Sequence, residues 1–259
     1  MKKIFLTILM VTVLFACGAK HVKFHRPPVD LTSACVAQWK MNDDAASTDV
    51  IDSVGSYTGT AQQDTCDINA VGKMGGALSF NGTSDYVSCG VLVNVVFTDS
   101  YSINLWSKLN LVSGSDNILG VYNVTNGHIL RLFRDYGEDW LYFYYGNNST
   151  SNLLSLEANY SSYDGEWVMI TITVTKTETG CAGKIYMNGV NVVDVDDTEA
   201  FDMTTFDGGA HEFMIGTNEY SALFFDGSID NVQIFNRVLI QQEINFLYNN
   251  GNGTEELSE

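Results

Sequence analysis

The 259-residue sequence is short of several things, and each shortage closes off a class of protein. Prolines number 2 against 23 glycines, which leaves little room for proline-rich linkers and points to tight turns instead. Lys and Arg together number 13 against 31 Asp and Glu, a formal net charge of −18. A surface of that sign repels phosphate backbones, so nucleic-acid binding through a basic groove is excluded. It suits cations held by oxygen ligands, calcium foremost. Beyond residue 16 no segment approaches the roughly 18 consecutive apolar residues that a membrane-crossing helix needs. No cysteine pair has Cys-x-x-Cys spacing, which argues against zinc, and there is no Gly-x-Ser-x-Gly elbow. His21, His25, His128 and His211 have no nucleophile beside them in sequence. What remains is 45% hydrophobic and 12% aromatic, enough to bury a core and to exclude a disordered chain.

Lys2 and Lys3 precede an apolar run from Ile4 to Phe15, the pattern of an export signal. Leu14-Phe15-Ala16-Cys17-Gly18 resembles a bacterial lipobox. That resemblance implies a signal peptide over residues 1–16 and acylation of Cys17, with more than one acyl chain giving a stable membrane anchor. Gly18 rather than Asp after the cysteine implies the outer membrane by the same resemblance. The alternative is an ordinary secreted protein cleaved nearby, after Ala19. Residues 17–34, with Pro27-Pro28, read as a tether, and the polar, acidic residues 249–259 read as a disordered tail. Cys35, Cys66, Cys89 and Cys181 in an exported chain predict two disulfides, with all three pairings open.

Between these ends the chain reads as one all-β domain, residues 35–248. Short runs rich in Val, Ile, Phe, Tyr and Trp recur between turn clusters, among them Tyr101–Leu109, His128–Phe133, Trp140–Tyr145, Trp167–Val174 and Ser228–Phe235. Asn188-Gly189, set between Lys184–Met187 and Val190–Val195, predicts a two-residue hairpin, since both residues tolerate positive φ. About a dozen such strands with no interleaved helical period predict two antiparallel sheets packed as a sandwich. One short helix is expected at about Ile240–Tyr248, where Ile240, Ile244 and Leu247 share a face.

Five blocks in chain order carry a family resemblance. They are Trp39–Asp43 with Val50–Ser53; Gly72–Gly82 with Asp85–Val87; Tyr101–Trp106; Gly165–Trp167 with Lys184–Gly189; and Phe225–Leu239 with Glu243-Ile244. Over residues 36–248 the chain resembles the laminin-G-like, concanavalin A-like jelly-roll family, which implies a jelly-roll sandwich. That fold hosts lectins, hydrolases, adhesins and receptor modules alike. Its laminarinase-like glycoside hydrolases carry a Glu-x-Asp-x-(x)-Glu strand, and no such run exists here. The nearest acidic run, Asp194-Val195-Asp196-Asp197, lacks glutamate partners and reads as a solvated loop. A non-catalytic protein is expected.

Two calcium placements compete. Asp52 and Asp230 would clamp the early loop to the closing strand; alternatively, Asp116-Asn117 with Glu219 resemble the calcium site of pentraxins. For sugars, Trp140, Tyr142 and Tyr144 alternate along a strand with Leu141 and Phe143, so the three rings share one face. That face is either a stacking platform, or it covers the core or pairs across the sheet. Arg131 and Arg134 would bind carboxylated sugars or pair with surface acids. The expectation is a lipid-anchored module outside the cell that binds carbohydrate, assisted by calcium. Its rivals are an adhesion or structural envelope lipoprotein with a protein partner, and an unorthodox glycosidase.

Overall fold

The computed structural model describes residues 27–92, 97–110, 115–122, 128–135, 137, 139–147, 153–198, 212–217 and 223–259. The expected signal peptide, Cys17 and the first part of the expected tether fall outside these residues. The described strands form two antiparallel sheets. In the first, here the terminal sheet, the order is β14 (Val190–Thr198), β13 (Cys181–Met187), β12 (Val168–Lys176), β7 (Tyr101–Leu109), β16 (Asp226–Phe235), β5 (Gly76–Asn81) and β4 (Asn69–Val71). Strand β1 (Cys35–Trp39) also pairs with β16. In the second, the open sheet, the order is β11 (Leu153–Asn159), β10 (Trp140–Asn147), β9 (His128–Asp135), β8 (Ser115–Tyr122), β15 (Met214–Ile215), β6 (Val87–Ser88), β3 (Gly59–Ala61) and β2 (Asp49–Val50).

Alternation decides which residues meet between the sheets. On β7, Tyr101, Ile103 and Leu105 face Leu130, Leu132 and Phe143 of the open sheet in one core. Trp39 lies flat on Phe213 in that core, with ring centroids 5.8 Å apart. Truncating one such ring, as in Phe143→Ala, is worth about 3–5 kcal/mol. The other face of β7 is also buried, because a second cluster covers the terminal sheet: Val29, Leu31 and Ala34 pack with Trp106, Ile244 and Leu247. A chain of polar residues runs along this covered face, Thr171 Oγ1 donating to Asn104 Oδ1 at 2.7 Å and Asn104 Nδ2 to Gln233 Oε1 at 3.0 Å, with Gln233 Nε2 left unpartnered. Helix α2 spans Gln241–Tyr248 and buries Ile244 and Leu247. Ile240 stays outside it, 59% exposed, where its N–H donates to the Glu243 carboxylate at 2.9 Å. The predicted hairpin is in place, with φ of 50° at Asn188 and 79° at Gly189.

Three expectations differ from the structure. The tether does not extend to residue 34, since Val29 and Leu31 are buried on the terminal sheet. The tail is ordered rather than disordered. Leu31 N–H donates to Leu257 O at 2.7 Å, Glu259 N–H to Val29 O at 3.0 Å, and Gln38 Nε2 to Glu255 O at 2.9 Å. Its backbone bonds to the body of the domain while polar side chains such as Glu256 and Ser258 stay exposed. Finally, no disulfide joins Cys35, Cys66, Cys89 or Cys181. Cys35 sits under the outer cluster, Cys89 and Cys181 sit in the core, and Cys66 is exposed on the short helix α1 (Thr65–Ile68).

Candidate functional site

Strand β10 puts Leu141, Phe143 and Tyr145 into the core and leaves Trp140, Tyr142 and Tyr144 half-exposed on the outward face of the open sheet. The face does not enter the core, and two of its rings pair across the sheet with Phe133. The antiparallel register sets Tyr142 opposite Phe133 and Tyr144 opposite Arg131. Phe133 is almost wholly covered: Tyr142 stacks on it at 5.1 Å and 15°, and Tyr144 meets it edge-on at 5.0 Å. The Arg131 guanidinium lies 3.8 Å from the centre of the same ring. Its Nε donates to Asn117 Oδ1, and Asn117 Nδ2 in turn donates to Leu223 O at 2.8 Å. Each such aromatic pair is worth about 0.5–1.5 kcal/mol beyond its buried area, so the rings hold one another in place. No helix or terminal segment covers them among the described residues. Burial lowers the Arg131 pKa to about 10 and pushes the Tyr144 hydroxyl up, with Glu157 adding to the latter. Arg134 points the other way; fully buried, it pairs with Asp164 at 2.6 Å and Asp139 at 3.1 Å.

The acidic candidates separate. Asp52 accepts four backbone N–H groups, from Gln38, Val54, Gly55 and Tyr57, at 2.9–3.0 Å. It anchors its loop and has no strong acceptor site to spare. Asp230 is fully buried; Oδ2 accepts the Met74 N–H at 2.8 Å and Oδ1 has no partner. Burial first, and Glu255 after it, raise its pKa to about 7. Among the described residues no hydrogen bond links the two carboxylates through a shared group. Asp116 is buried with Oδ2 unpartnered, and burial with the charge of Asp226 raises its pKa to about 6. Asn117, expected beside it as a ligand, already gives its oxygen to Arg131, while Glu219 lies outside the described residues. The Asp194 run lies on the edge strand β14, where Asp194 meets Lys184 at 2.5 Å and Asp196 is exposed.

A cavity of about 570 Å³ opens elsewhere, between the β13–β14 turn and α2, lined by Asn188, Gly189, Asn245, Tyr248 and Glu259. It lies far from the ring platform.

The profile of the concanavalin A-like lectin/glucanases superfamily matches residues 81–245. The chain belongs to that superfamily. Solved members of similar shape include domain 4 of an extracellular arabinanase from Geobacillus stearothermophilus in complex with arabinotriose, with a TM-score of 0.58 and 21% identity over 82% of this chain and 96% of that one. The receptor binding domain of botulinum neurotoxin D aligns with a TM-score of 0.59 and 15% identity, over 85% of this chain and 54% of that one. A Trypanosoma rangeli sialidase aligns at 0.60 and 16%, over 86% of this chain and 34% of that one. No curated protein matches the sequence. The superfamily sandwich accounts for the layers and leaves the binding face to particular residues. Two of these escaped the sequence reading. Phe133, the ring beneath the platform, is set by the β9–β10 register, and Asp226, beside Asp116, follows from the packing of distant strands.

Proposed function

We propose that the protein is a non-catalytic carbohydrate-binding module, anchored through Cys17 to the outer membrane, that stacks sugar rings on Trp140, Tyr142 and Tyr144. The observation that carries this reading is the row of three half-exposed rings on the outward face of the open sheet, two of them packed on Phe133. Contiguous apolar surface on a soluble domain marks a binding site, and aromatic faces bordered by polar groups suit the C–H faces of sugars. The arabinanase domain of the same shape, solved with arabinotriose, supports the reading.

The carboxylates flanking the rings support a module without catalysis. Asp135 stands in register with Trp140, and Glu157 with Tyr142, on opposite sides of β10. Two strand spacings and two residues of rise separate these positions by roughly 11–12 Å, beyond the ~5–5.5 Å of retaining and ~6.5–9.5 Å of inverting glycosidases. Calcium, where it contributes, is proposed at Asp116 with Asp226. The orphaned oxygen of Asp116 fits a hard cation, and a bound ion would neutralise two like charges at the end of the sandwich.

A glycan-array screen in calcium, repeated with chelator, tests both parts. Trp140→Ala and Tyr142→Ala are expected to lower retention by at least about tenfold with the melting temperature kept within a few degrees. Retention unchanged in both variants removes the platform from the site. A blank array with a specific envelope protein recovered by pull-down makes the protein-partner reading the better one. Reducing-sugar release from polysaccharides overturns the non-catalytic reading. Chelation and Asp116→Asn should lower thermal stability to the same level, and no response to either ends the calcium proposal.

A further inference from the structure

Among the described residues Arg131 is the one Lys or Arg on the ring face. It and Arg134 are the only Lys or Arg residues in the eight strands of the open sheet, and Arg134 is turned inward onto Asp139 and Asp164. Arg131 is half-buried among aromatic rings, yet no carboxylate forms an ion pair with it among the described residues. Asp135 and Tyr144 lie near enough to be felt electrostatically, without direct pairing.

A guanidinium in such a place is costly. Burial disfavours its charged form, as the lowered pKa records, and a neighbouring anion would normally repay that cost. Among the described residues no acid is placed to do so. The side chain is held nonetheless. Phe133 supports its flat face at 3.8 Å, Asn117 takes its Nε, and Leu223 O fixes the Asn117 amide. This leaves the Nη edge of a positioned fork at the border of the platform, the geometry that matches a carboxylate with two parallel hydrogen bonds.

Resting on the carbohydrate-binding reading, we infer that the platform selects acidic sugars, with Arg131 pairing the carboxylate of a uronate-type ring while Tyr142 and Tyr144 stack against its apolar face. The bound carboxylate supplies a counter-ion that none of the described residues provides.

Matched pairs of ligands isolate the charge. Binding of the whole protein is measured by calorimetry to trigalacturonate, trimannuronate and a hyaluronan tetrasaccharide, each beside its methyl ester. Esterification removes the charge and keeps the shape. At least one acid is expected to bind about tenfold or more tightly than its ester, as a charge-assisted hydrogen-bonded pair allows. Arg131→Gln should reduce that acid-to-ester ratio to about one, and Arg131→Lys should restore part of it. A melting temperature near that of the parent chain shows that each variant is folded. Equal binding of acids and esters, or a preference that survives in Arg131→Gln, overturns the selection of acidic sugars and leaves the platform standing. Binding to none of the six ligands overturns the acidic-sugar inference, while Tyr142-dependent retention of a neutral glycan on the array would keep the carbohydrate reading. A blank on both overturns the two together.

Discussion

A single buried carboxyl group shows how much a residue's surroundings change its chemistry. Asp230 stands on β16 opposite Trp106, with Lys73 above the Trp106 ring at 4.9 Å. Glu255, itself paired with Lys40 at 3.2 Å, lies close enough to raise its pKa further. In the unfolded chain this carboxyl titrates near 3.8, and in the fold near 7. Between those values the folded protein keeps a proton that the unfolded chain gives up. Its stability is therefore fullest on the acid side of the window and declines as pH rises toward 7. Asp230→Asn keeps an oxygen to accept the Met74 N–H and removes the charge. The variant is expected to match the parent at about pH 4 and to exceed it by about 1–3 kcal/mol at about pH 8. Denaturant unfolding at the two pH values measures this, and parallel pH profiles would show that Asp230 ionises in the fold without cost. Nothing in the sequence marks Asp230 as buried and half-satisfied. The Asp226–Phe235 stretch predicts a strand, but its partners Met74 and Glu255 come from 156 positions earlier and from the tail.

At the scale of elements, legibility followed the strength of local pattern. Strand β10 was readable down to its two faces because large rings and aliphatic residues alternate along it. The hairpin at Asn188-Gly189 was readable because few other residue pairs accept two positive φ angles. Strand β11 went unrecognised: it alternates Leu154, Leu156 and Ala158 with Ser155, Glu157 and Asn159, yet lacks the β-branched and aromatic residues that mark strands. The two-residue strand β2 is too short to carry any period. The tail misled by composition, since its backbone bonds to the body of the domain. Gln38 Nε2 and Asn231 Nδ2, both on buried residues, donate to Glu255 O at 2.9 Å and Thr254 O at 3.0 Å, and Asn42 Nδ2 donates to Glu255 Oε1 at 2.6 Å. Deleting residues 254–259 strips these acceptors from buried amides, at about 1–3 kcal/mol for each group left unsatisfied. The truncated chain is expected to melt roughly 5–15 °C lower and to keep its glycan binding, because the open sheet lies on the other side of the core. A melt unchanged by truncation would show that water replaces the tail at no cost.

For the whole molecule, the two sheets divide the labour. The terminal sheet receives residues 27–34, α2 and the C-terminal segment, so an anchor at Cys17 would reach the sandwich from that side. The ten residue-to-residue steps from position 17 to position 27 span at most about 33–36 Å, a short leash that would leave the ring platform facing away from the membrane. A charge of −18 adds to this orientation by repelling the body from an anionic surface. The same charge acts on an acidic sugar before Arg131 can. At about 10 mM salt the Debye length is ~30 Å, so the approaching carboxylate meets the net repulsion of the protein; at about 150 mM it is ~8 Å, and the local cation governs the last steps. Association with an acidic trisaccharide is therefore expected to quicken several-fold over that range, opposite to the behaviour of a basic sugar-binding protein. Dissociation should change less, because the Arg131 pair is partly desolvated and poorly screened. Stopped-flow fluorescence of the platform aromatics measures both rates. An association rate that falls as salt is added would mean that Arg131's local field, and not the net charge, steers the encounter from the start.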